Sequence, residues 1–272
     1  MENHIDARLL LDMQALRESP PNIIYHYCSM EALLGILDSG RIWLSDINAT
    51  NDSLEGVWLD SKLQMLHQGI NKDSELPQHY KEFKQGNPHI FISCFTEEDD
   101  ILSQWRGYGD DGKGVAIGFL VNRFCVACEN ENSMLSLNQV IYDDSLQFGN
   151  IAALFRAYET EEFDEKYRVL ESLYLLSTVS KNRAFAEEKE WRIIYRPMVF
   201  DKKHIHGALE DARYRISNGR VVKYYSLPIN TGSIVRVVLG PKNQNDRKFI
   251  SDFFSFYGMH PDIESSEASY RS

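Results

Sequence analysis

The sequence predicts an α+β fold, in which a sheet is flanked by helices. Short apolar runs bounded by turn residues indicate buried strands, and longer segments carry apolar residues at helical spacing. The two kinds of segment do not alternate regularly along the 272 residues. This irregular order favours an α+β fold over a doubly wound parallel sheet.

The chain is expected to form one domain, with residues 1–21 as an N-terminal helix and linker and residues 22–272 as the core. The first segment has no basic n-region and no small-residue cleavage site, and it ends in Pro20-Pro21. These features predict a short amphipathic helix and not a signal peptide.

The first half of the core predicts strand, helix and strand, followed by a helical region and another strand. The apolar run IIYHY is the first strand, Ser29 is a suitable N-cap for the helix after it, and Gly40 is its expected stop. RIWLS then reads as a strand. Residues 57–85 predict helix with a weak break at Pro77, and residues 89–95 predict a strong strand.

The second half predicts a short helix, one or two long helices and a group of strands. DDILSQWRGYG is the short helix, and the Gly-rich turn DDGKG leads into the strand VAIGF. Residues 151–186 predict one or two long helices. The remaining strands are WRIIYR, VVKYYSL and SIVRVVLG, and the closing amphipathic helix is DRKFISDFFSFYG.

The charge of the chain restricts its partners. The formal net charge is −11, so most of the surface repels nucleic acid and any such contact requires a local basic patch. No segment has the ~18 uninterrupted apolar residues of a membrane span, and we expect a cytoplasmic protein without membrane contact. A single C-x-x-C, at Cys125 and Cys128, has no second ligand pair at zinc spacing, so no metal site is expected.

An acidic segment directly before a strand is the first candidate site. In an extended backbone Glu188 and Glu190 would point to the same side, about 7 Å apart along the chain, while Trp191, Ile193 and Tyr195 would point to the opposite side. Carboxylates that close raise each other's pKa, and such a pair suits a cationic transition state or proton transfer at a sugar. The alternative is a solvated charge run in front of a strand.

Three further segments carry candidate ligand-binding side chains. His26 lies in a strand before a capped helix, and Ser93 lies in an apolar strand where its hydroxyl needs a partner. The segment QWRGYG offers the rings of Trp105 and Tyr108 beside the cation of Arg106. The alternatives are a core histidine, a serine bonded to backbone, and an aromatic anchor under a turn.

The order of these motifs resembles a widespread bacterial and phage domain of unknown function, over about residues 23–271. The motifs are YHYCS, SGRIWLS, ND-x-x-E, SCF, QW-x-x-YG, GVAIGF, EKEWR and VVLGP. The positions that correspond are His26, Asn51, Asp52, Glu55, Cys94, Trp105, Tyr108, Gly114, Glu188, Glu190 and Arg192.

A more distant likeness is to proteins of the ADP-ribosyltransferase fold. IYHYCSMEALLGILDSG is similar to their opening strand and helix, FISCFTE to their central S-T-S strand (with S-C-F here), and EEKEWRII to their E-x-E strand. The resemblance implies a split, mixed or antiparallel sheet flanked by helices. It also implies cleavage of the nicotinamide–ribose bond of NAD, as a transferase or a glycohydrolase.

The same likeness implies roles for particular residues. Glu190 would be the catalytic carboxylate, Glu188 would orient the acceptor or act as a base, and Ser93 would orient Glu190. Lys181 and Arg183 would contact pyrophosphate or nucleic acid, or else form a solvated helix end. The expected cofactor contacts are His26, Ser93, Trp105, Tyr108 and Arg192.

The resemblance thus implies an NAD-consuming toxin or anti-phage defence effector. Its acceptor would be a nucleic acid or a protein, and its partner an antitoxin or another component of a defence system. Two alternatives remain open. The first is a non-catalytic module of the same fold that senses a nucleotide or binds a protein. The second is a nuclease that uses Asp46, Asp52 and Glu55 with the glutamate pair around Mg²⁺.

Overall fold

The computed structural model describes residues 19–49, 58–86, 90–124, 135–160, 163–201, 204–206, 209, 212–217 and 219–269. In this part of the chain the fold is α+β, with a mixed, mostly antiparallel open sheet and helices beside it. The predicted α+β class is therefore confirmed. The expected N-terminal helix, the C-x-x-C pair and the ND-x-x-E motif lie outside the described residues.

The described strands are β1 (Ile23–Cys28), β2 (Arg41–Asp46), β3 (Phe91–Thr96), β4 (Val115–Leu120), β5 (Leu135–Gln139), β6 (Glu190–Tyr195), β7 (Met198–Asp201), β8 (His204–His206), β9 (Arg213–Ser217), β10 (Arg220–Pro228), β11 (Ile234–Leu239) and β12 (Asp262–Ser265). The described α-helices are α1 (Met30–Ser39), α2 (Trp58–Ile70), α3 (Leu76–Gly86), α4 (Leu102–Gly107), α5 (Val121–Phe124), α6 (Asp144–Thr160), α7 (Phe163–Val179) and α8 (Arg247–Phe256). A 3₁₀ segment spans Arg183–Glu188.

Strand β3 is the branch point of the large sheet. Strand β6 pairs with one edge of β3 along its whole length, and β5 pairs with the far side of β6. On the other edge, β1 contacts β3 through the pair Tyr25–Thr96 at one end, and β2 contacts it through Ser45–Ile92 and Asp46–Phe91 at the other. β1 and β2 therefore diverge, and the sheet forks at the middle of β3.

The two arms of the fork are antiparallel ladders. One arm continues from β1 through β4 and β11 to β12, and the last pair is parallel. The other arm continues from β2 through β10 to β9. Of the described helices, α1 connects β1 to β2; Ser29 caps its start and Gly40, in the left-handed region, ends it as predicted.

Two hydrophobic cores meet at β3 and β6. Phe91 and Ile193 point into a core that also contains residues of α1, β2, β4 and β11. Ile92 and Ile194 alternate to the opposite face and pack with α2, α3, α6 and α7. We call this second side of the sheet the glutamate face, because Glu190 and Ile194 share it.

Two expected boundaries differ from the observed ones. Pro77 does not break the helical region, because it lies in the first turn of α3, where a missing N–H costs nothing; the break falls at residues 71–75. The long segment 151–186 is the end of α6, then α7, then the 3₁₀ segment. Strand β5, with the sequence LSLNQ, is not among the predicted strands, because Leu135 and Leu137 are its only apolar residues. No helix in the described part is both long and apolar enough to cross a membrane.

Candidate functional site

A cleft of about 620 Å³ opens where the sheet forks. Its lining comes from β1, α1, β2, β3, β9 and β10, and from α4 and the segment before β6. Five of the seven predicted site residues line it, namely His26, Ser93, Tyr108, Glu188 and Glu190. Because β1 and β2 separate at β3, residues of both sheet faces reach the same cavity.

Glu188 and Glu190 converge on the ammonium group of Lys181. Lys181 Nζ lies 2.6 Å from Glu188 Oε2 and 3.0 Å from Glu190 Oε2, and all three side chains are buried. The extended backbone assumed for this segment is wrong, because Glu188 ends the 3₁₀ segment and Lys189 has a positive φ of 40°. The reversal at Lys189, and not strand alternation, places both carboxylates at one cation.

Arg192 clamps Glu190 from within the core. Its Nε donates to Glu190 Oε1 at 2.8 Å and its Nη2 donates to Glu190 Oε2 at 2.9 Å, the bidentate geometry that arginine favours. Arg192 is 1% exposed and does not line the cleft. The expectation that Arg192 contacts a cofactor directly is therefore corrected, since it acts through Glu190.

The two carboxylates lie in different electrostatic environments. Burial alone would raise the pKa of Glu190, but the charges of Arg192 and Lys181 outweigh it and lower the pKa, so Glu190 stays ionised. Burial raises the pKa of Glu188, and Lys181 compensates only in part. Two neighbouring carboxyls with pKa values pushed in opposite directions are suited to different roles in acid–base chemistry.

Glu188 is the carboxylate with an open oxygen. Within the described part of the chain, its Oε2 accepts a hydrogen bond from Lys181 and its Oε1 accepts none. Lys181 itself keeps its charge, because the two glutamates outweigh the lowering of its pKa by burial. Lys181 is 5% exposed, so the expectation of a solvated helix end is wrong for Lys181, although Arg183 is exposed.

Tyr108 faces the carboxylates from the end of α4. Tyr108 is 41% exposed, whereas burial raises the pKa of its hydroxyl more than the nearby groups change it. The ring thus offers a face to the cleft while the hydroxyl remains protonated. Of the two predicted aromatic rings, Tyr108 is the one that a flat ligand can reach.

Trp105 is an anchor and not a ligand-binding ring. It is 0% exposed, its indole nitrogen donates to Asp100 at 2.6 Å, and Tyr27 packs edge-on against it with ring centroids 4.6 Å apart. The expectation that Trp105 stacks on a cofactor is therefore corrected. Its packing holds α4, and with it Tyr108, against the sheet.

His26 offers a hydrogen-bond acceptor to the cleft. Its Nδ1 lies 2.9 Å from the carbonyl oxygen of Cys94, at the unpaired middle of the β3 edge. Burial lowers the pKa of His26, which favours the neutral ring. A carbonyl only accepts, so Nδ1 carries the proton, and Nε2 of the neutral ring is an acceptor.

Ser93 does not orient Glu190. It pairs with Ile193 across the β3–β6 ladder, whereas Glu190 pairs with Thr96, so the two side chains lie on opposite faces of the sheet. Ser93 is 4% exposed, and in the described part its hydroxyl has no hydrogen-bond partner although it lines the cleft. A buried hydroxyl without a partner is uncommon, and that of Ser93 is available to a ligand on the His26 side.

Sequence reasoning missed Tyr142, whose hydroxyl accepts a hydrogen bond from the Glu190 backbone at 3.1 Å. It also missed the wall formed by β2, β9 and β10, where arginines and Trp43 line the cleft. A signal was present in RIWLS and RYRIS, since both alternate between two types of residue at strand spacing. Tyr142 has no such signal, because only the fold brings it to β6.

A cation-binding arrangement of carboxylates is not supported. The charges of Glu188 and Glu190 are balanced by Lys181 and Arg192. No group of three or more His, Cys, Asp and Glu side chains in the described part could hold a metal ion. Asp46 accepts hydrogen bonds from Asn48 in its own turn, and the nuclease candidates Asp52 and Glu55 lie outside the described residues.

Comparison with known proteins finds a family match over one part of the chain that includes part of this site. Residues 104–193 match a family described as "Protein of unknown function (DUF2971)". This confirms the resemblance to a domain of unknown function. The DUF2971 match contains Tyr108, Lys181 and the glutamate pair, whereas His26 lies before it. No curated protein and no solved structure matches the chain.

Proposed function

We propose that this protein is an NAD-dependent ADP-ribosyltransferase or NAD glycohydrolase that acts as a bacterial toxin or anti-phage effector. The observation that carries the proposal is the pair Glu188–Glu190 on Lys181, in a cleft at a forked sheet. A transferase-like fold would place NAD in this cleft. The chemistry also suits the pair, because cleavage at a sugar C1′ builds positive charge beside a carboxylate.

The proposed reaction breaks the bond between C1′ of the ribose and the nicotinamide nitrogen. The bonding electrons leave with nicotinamide, which becomes neutral, and positive charge develops on C1′ and the ring oxygen. The ionised Glu190 stabilises this charge. Water or an acceptor group then bonds to C1′ and gives its proton to Glu188, whose raised pKa suits a general base.

The other cleft residues have roles that fit NAD. His26 Nε2 accepts a hydrogen bond from a ribose hydroxyl, and Ser93 supplies a hydroxyl on the same side of the sheet. The exposed ring of Tyr108 stacks on nicotinamide near the glutamates. A protein partner such as an antitoxin or another defence component would control the activity in the cell.

Nicotinamide release tests the proposal. Purified protein is incubated with NAD, alone and with DNA, RNA or cell extract, and free nicotinamide and labelled acceptor are measured. We expect release by the wild type and at least about a hundredfold slower release by Glu188→Gln, since a general base contributes about 10²–10⁴-fold. Glu187→Gln is the matched control, because that side chain is exposed one residue away.

The wild type decides the outcome. If it neither binds NAD nor releases nicotinamide with any acceptor, the proposal is wrong. Equal losses in Glu188→Gln and Glu187→Gln would also contradict it. Urea unfolding of each variant separates a chemical effect from a loss of folded protein.

A second candidate is a non-catalytic module that binds a nucleotide in the same cleft. The observation that favours it is the engagement of both Glu190 oxygens, by Arg192 and by Lys181, which is typical of a structural ion cluster. This candidate predicts saturable NAD binding without nicotinamide release. It also predicts that Glu188→Gln changes the affinity by less than about threefold, since no transition state is stabilised.

A further inference from the structure

The wall of the cleft opposite the glutamates has an unusual composition. Strand pairing sets Ser45 opposite Tyr224 and Tyr224 opposite Arg213, so these side chains share one face of the sheet. We call this surface the arginine face. It is formed chiefly by Arg41, Trp43, Arg213, Arg215, Arg220 and Tyr224.

The arginine face contains no carboxylate among the described residues of β2, β9 and β10. Asp46, the acidic residue of these strands, pairs with Phe91 and lies on the opposite face. Four guanidinium groups therefore share one surface of a chain whose net charge is −11. This is the local basic patch that an acidic protein requires for contact with a polyanion.

Trp43 is held as an exposed platform at the centre of this face. Trp43 is 50% exposed. The centre of the Tyr224 ring nevertheless lies 4.8 Å from the centre of the Trp43 ring, and the Arg215 guanidinium lies 5.3 Å from it. Arg215 is fixed in turn by a 3.1 Å hydrogen bond to Ser45 Oγ. An ordered, exposed indole costs little entropy when a flat group stacks on it.

Arg215 also has an unsatisfied donor. Its Nε is buried and has no hydrogen-bond partner in the described part of the chain. A buried guanidinium N–H normally finds an acceptor, and a phosphate oxygen is the acceptor whose geometry arginine matches best. Arg213, two residues earlier on the same face, is exposed.

We propose that the arginine face binds single-stranded nucleic acid, with a base stacked on Trp43 and phosphates at Arg213 and Arg215. A stacking ring beside fixed cations is the combination that single strands use, since every unpaired base has a π-face. An acidic peptide would use the arginines and not the indole. The inference is independent of NAD chemistry, although a strand bound here would enter the cavity that contains Glu188.

Fluorescence anisotropy of labelled twelve-nucleotide oligo-dT and oligo-U, with the full chain and without NAD, tests the proposal. Binding of either oligonucleotide is expected, and log affinity should fall with log salt with a slope of about −1.4, as for the two phosphate contacts at Arg213 and Arg215. Trp43→Ala should weaken binding about tenfold. Arg213→Gln should weaken it several-fold and reduce the slope by about 0.7.

Matched variants separate stacking from general charge and exposure. Tyr214→Ala removes an aromatic side chain that is 66% exposed on the opposite face of β9, and Arg168→Gln removes an exposed charge on α7; both should bind as the wild type does. No binding of either oligonucleotide, equal losses in Tyr214→Ala and Trp43→Ala, or displacement of the oligonucleotide by poly-glutamate as readily as by unlabelled strand would overturn the proposal. Because NAD is omitted, failure of nicotinamide release leaves this result unaffected.

Discussion

The glutamate pair illustrates how one residue's role depends on its partners. Glu188 and Glu190 are two positions apart, but Arg192 and Lys181 engage both oxygens of Glu190, whereas Glu188 shares only Lys181. The sequence indicates that both carboxylates lie together. It does not indicate which carboxylate has both oxygens engaged. Arg192 lies two residues after Glu190 on the same face of β6, and Lys181 belongs to a different segment.

Glu190→Gln should destabilise the protein by about 3–5 kcal/mol at pH 7, because it leaves the buried Arg192 without its carboxylate and Lys181 with Glu188 alone. The free energy of unfolding in urea measures this. Glu187→Gln, at an exposed position in the same segment, should change that free energy by less than about 0.5 kcal/mol. Similar values for the two variants would mean that the ion cluster does not stabilise the fold.

The pH dependence of stability gives the same residue a second signature. The native pKa of Glu190 lies below its ordinary value of 4.5, so its contribution is complete above pH 4.5 and is lost as pH falls through the native pKa. The loss of stability on acidification below pH 4.5 should therefore be smaller in Glu190→Gln than in the wild type. If the free energy of unfolding falls equally steeply with pH in the two proteins, Glu190 has the same pKa in the native and the unfolded state.

At the scale of elements, the turn between α4 and β4 packs tightly against the end of β1. Gly114 lies where β4 begins, and a Cβ there would be 2.1 Å from the carbonyl oxygen of Cys28. The backbone of β1 and the turn therefore approach so closely that only glycine fits. The motif GVAIGF marks a strand by its apolar run, but this contact depends on the pairing of β1 with β4.

Gly114→Ala should destabilise the protein by about 3 kcal/mol or more, since backbone atoms and not a flexible side chain must move. Gly149→Ala is the control: it lies inside α6, where an added Cβ meets nothing within 4 Å. That change should stabilise the protein by about 0.5–1 kcal/mol, because alanine favours helix. Thermal midpoints followed by circular dichroism compare the two, and a neutral Gly114→Ala would contradict the close approach.

At the scale of the whole molecule, the two cores share their central strands. Phe91 and Ile193 belong to one core, and Ile92 and Ile194 to the other. The helices on the glutamate face therefore cannot separate from the sheet without exposing β3 and β6. The arms of the fork are joined by the same two strands, so the geometry of the cleft depends on both cores.

We therefore expect the chain to unfold in one cooperative transition. Urea curves from far-ultraviolet circular dichroism and from tryptophan fluorescence should superimpose, because Trp58 on α2 and Trp191 on β6 report on the two sides of the sheet. Leu173→Ala, at a fully buried position of α7, should shift both curves equally and cost about 2–5 kcal/mol. Two separated transitions would show that the helical layer is an independent unit.

The sequence alone determined the α+β class, most strands, the caps of α1, and the glutamates and His26 as candidate residues, because periodicity and capping are local properties. It could not determine which side chains face one another. The fork at β3, the separation of Ser93 from Glu190, the burial of Trp105 and Arg192, and the assembly of the arginine face all depend on strand pairing between distant segments. Those pairings are decided by the packing of two cores on one shared pair of strands, and that packing exists only in the tertiary structure.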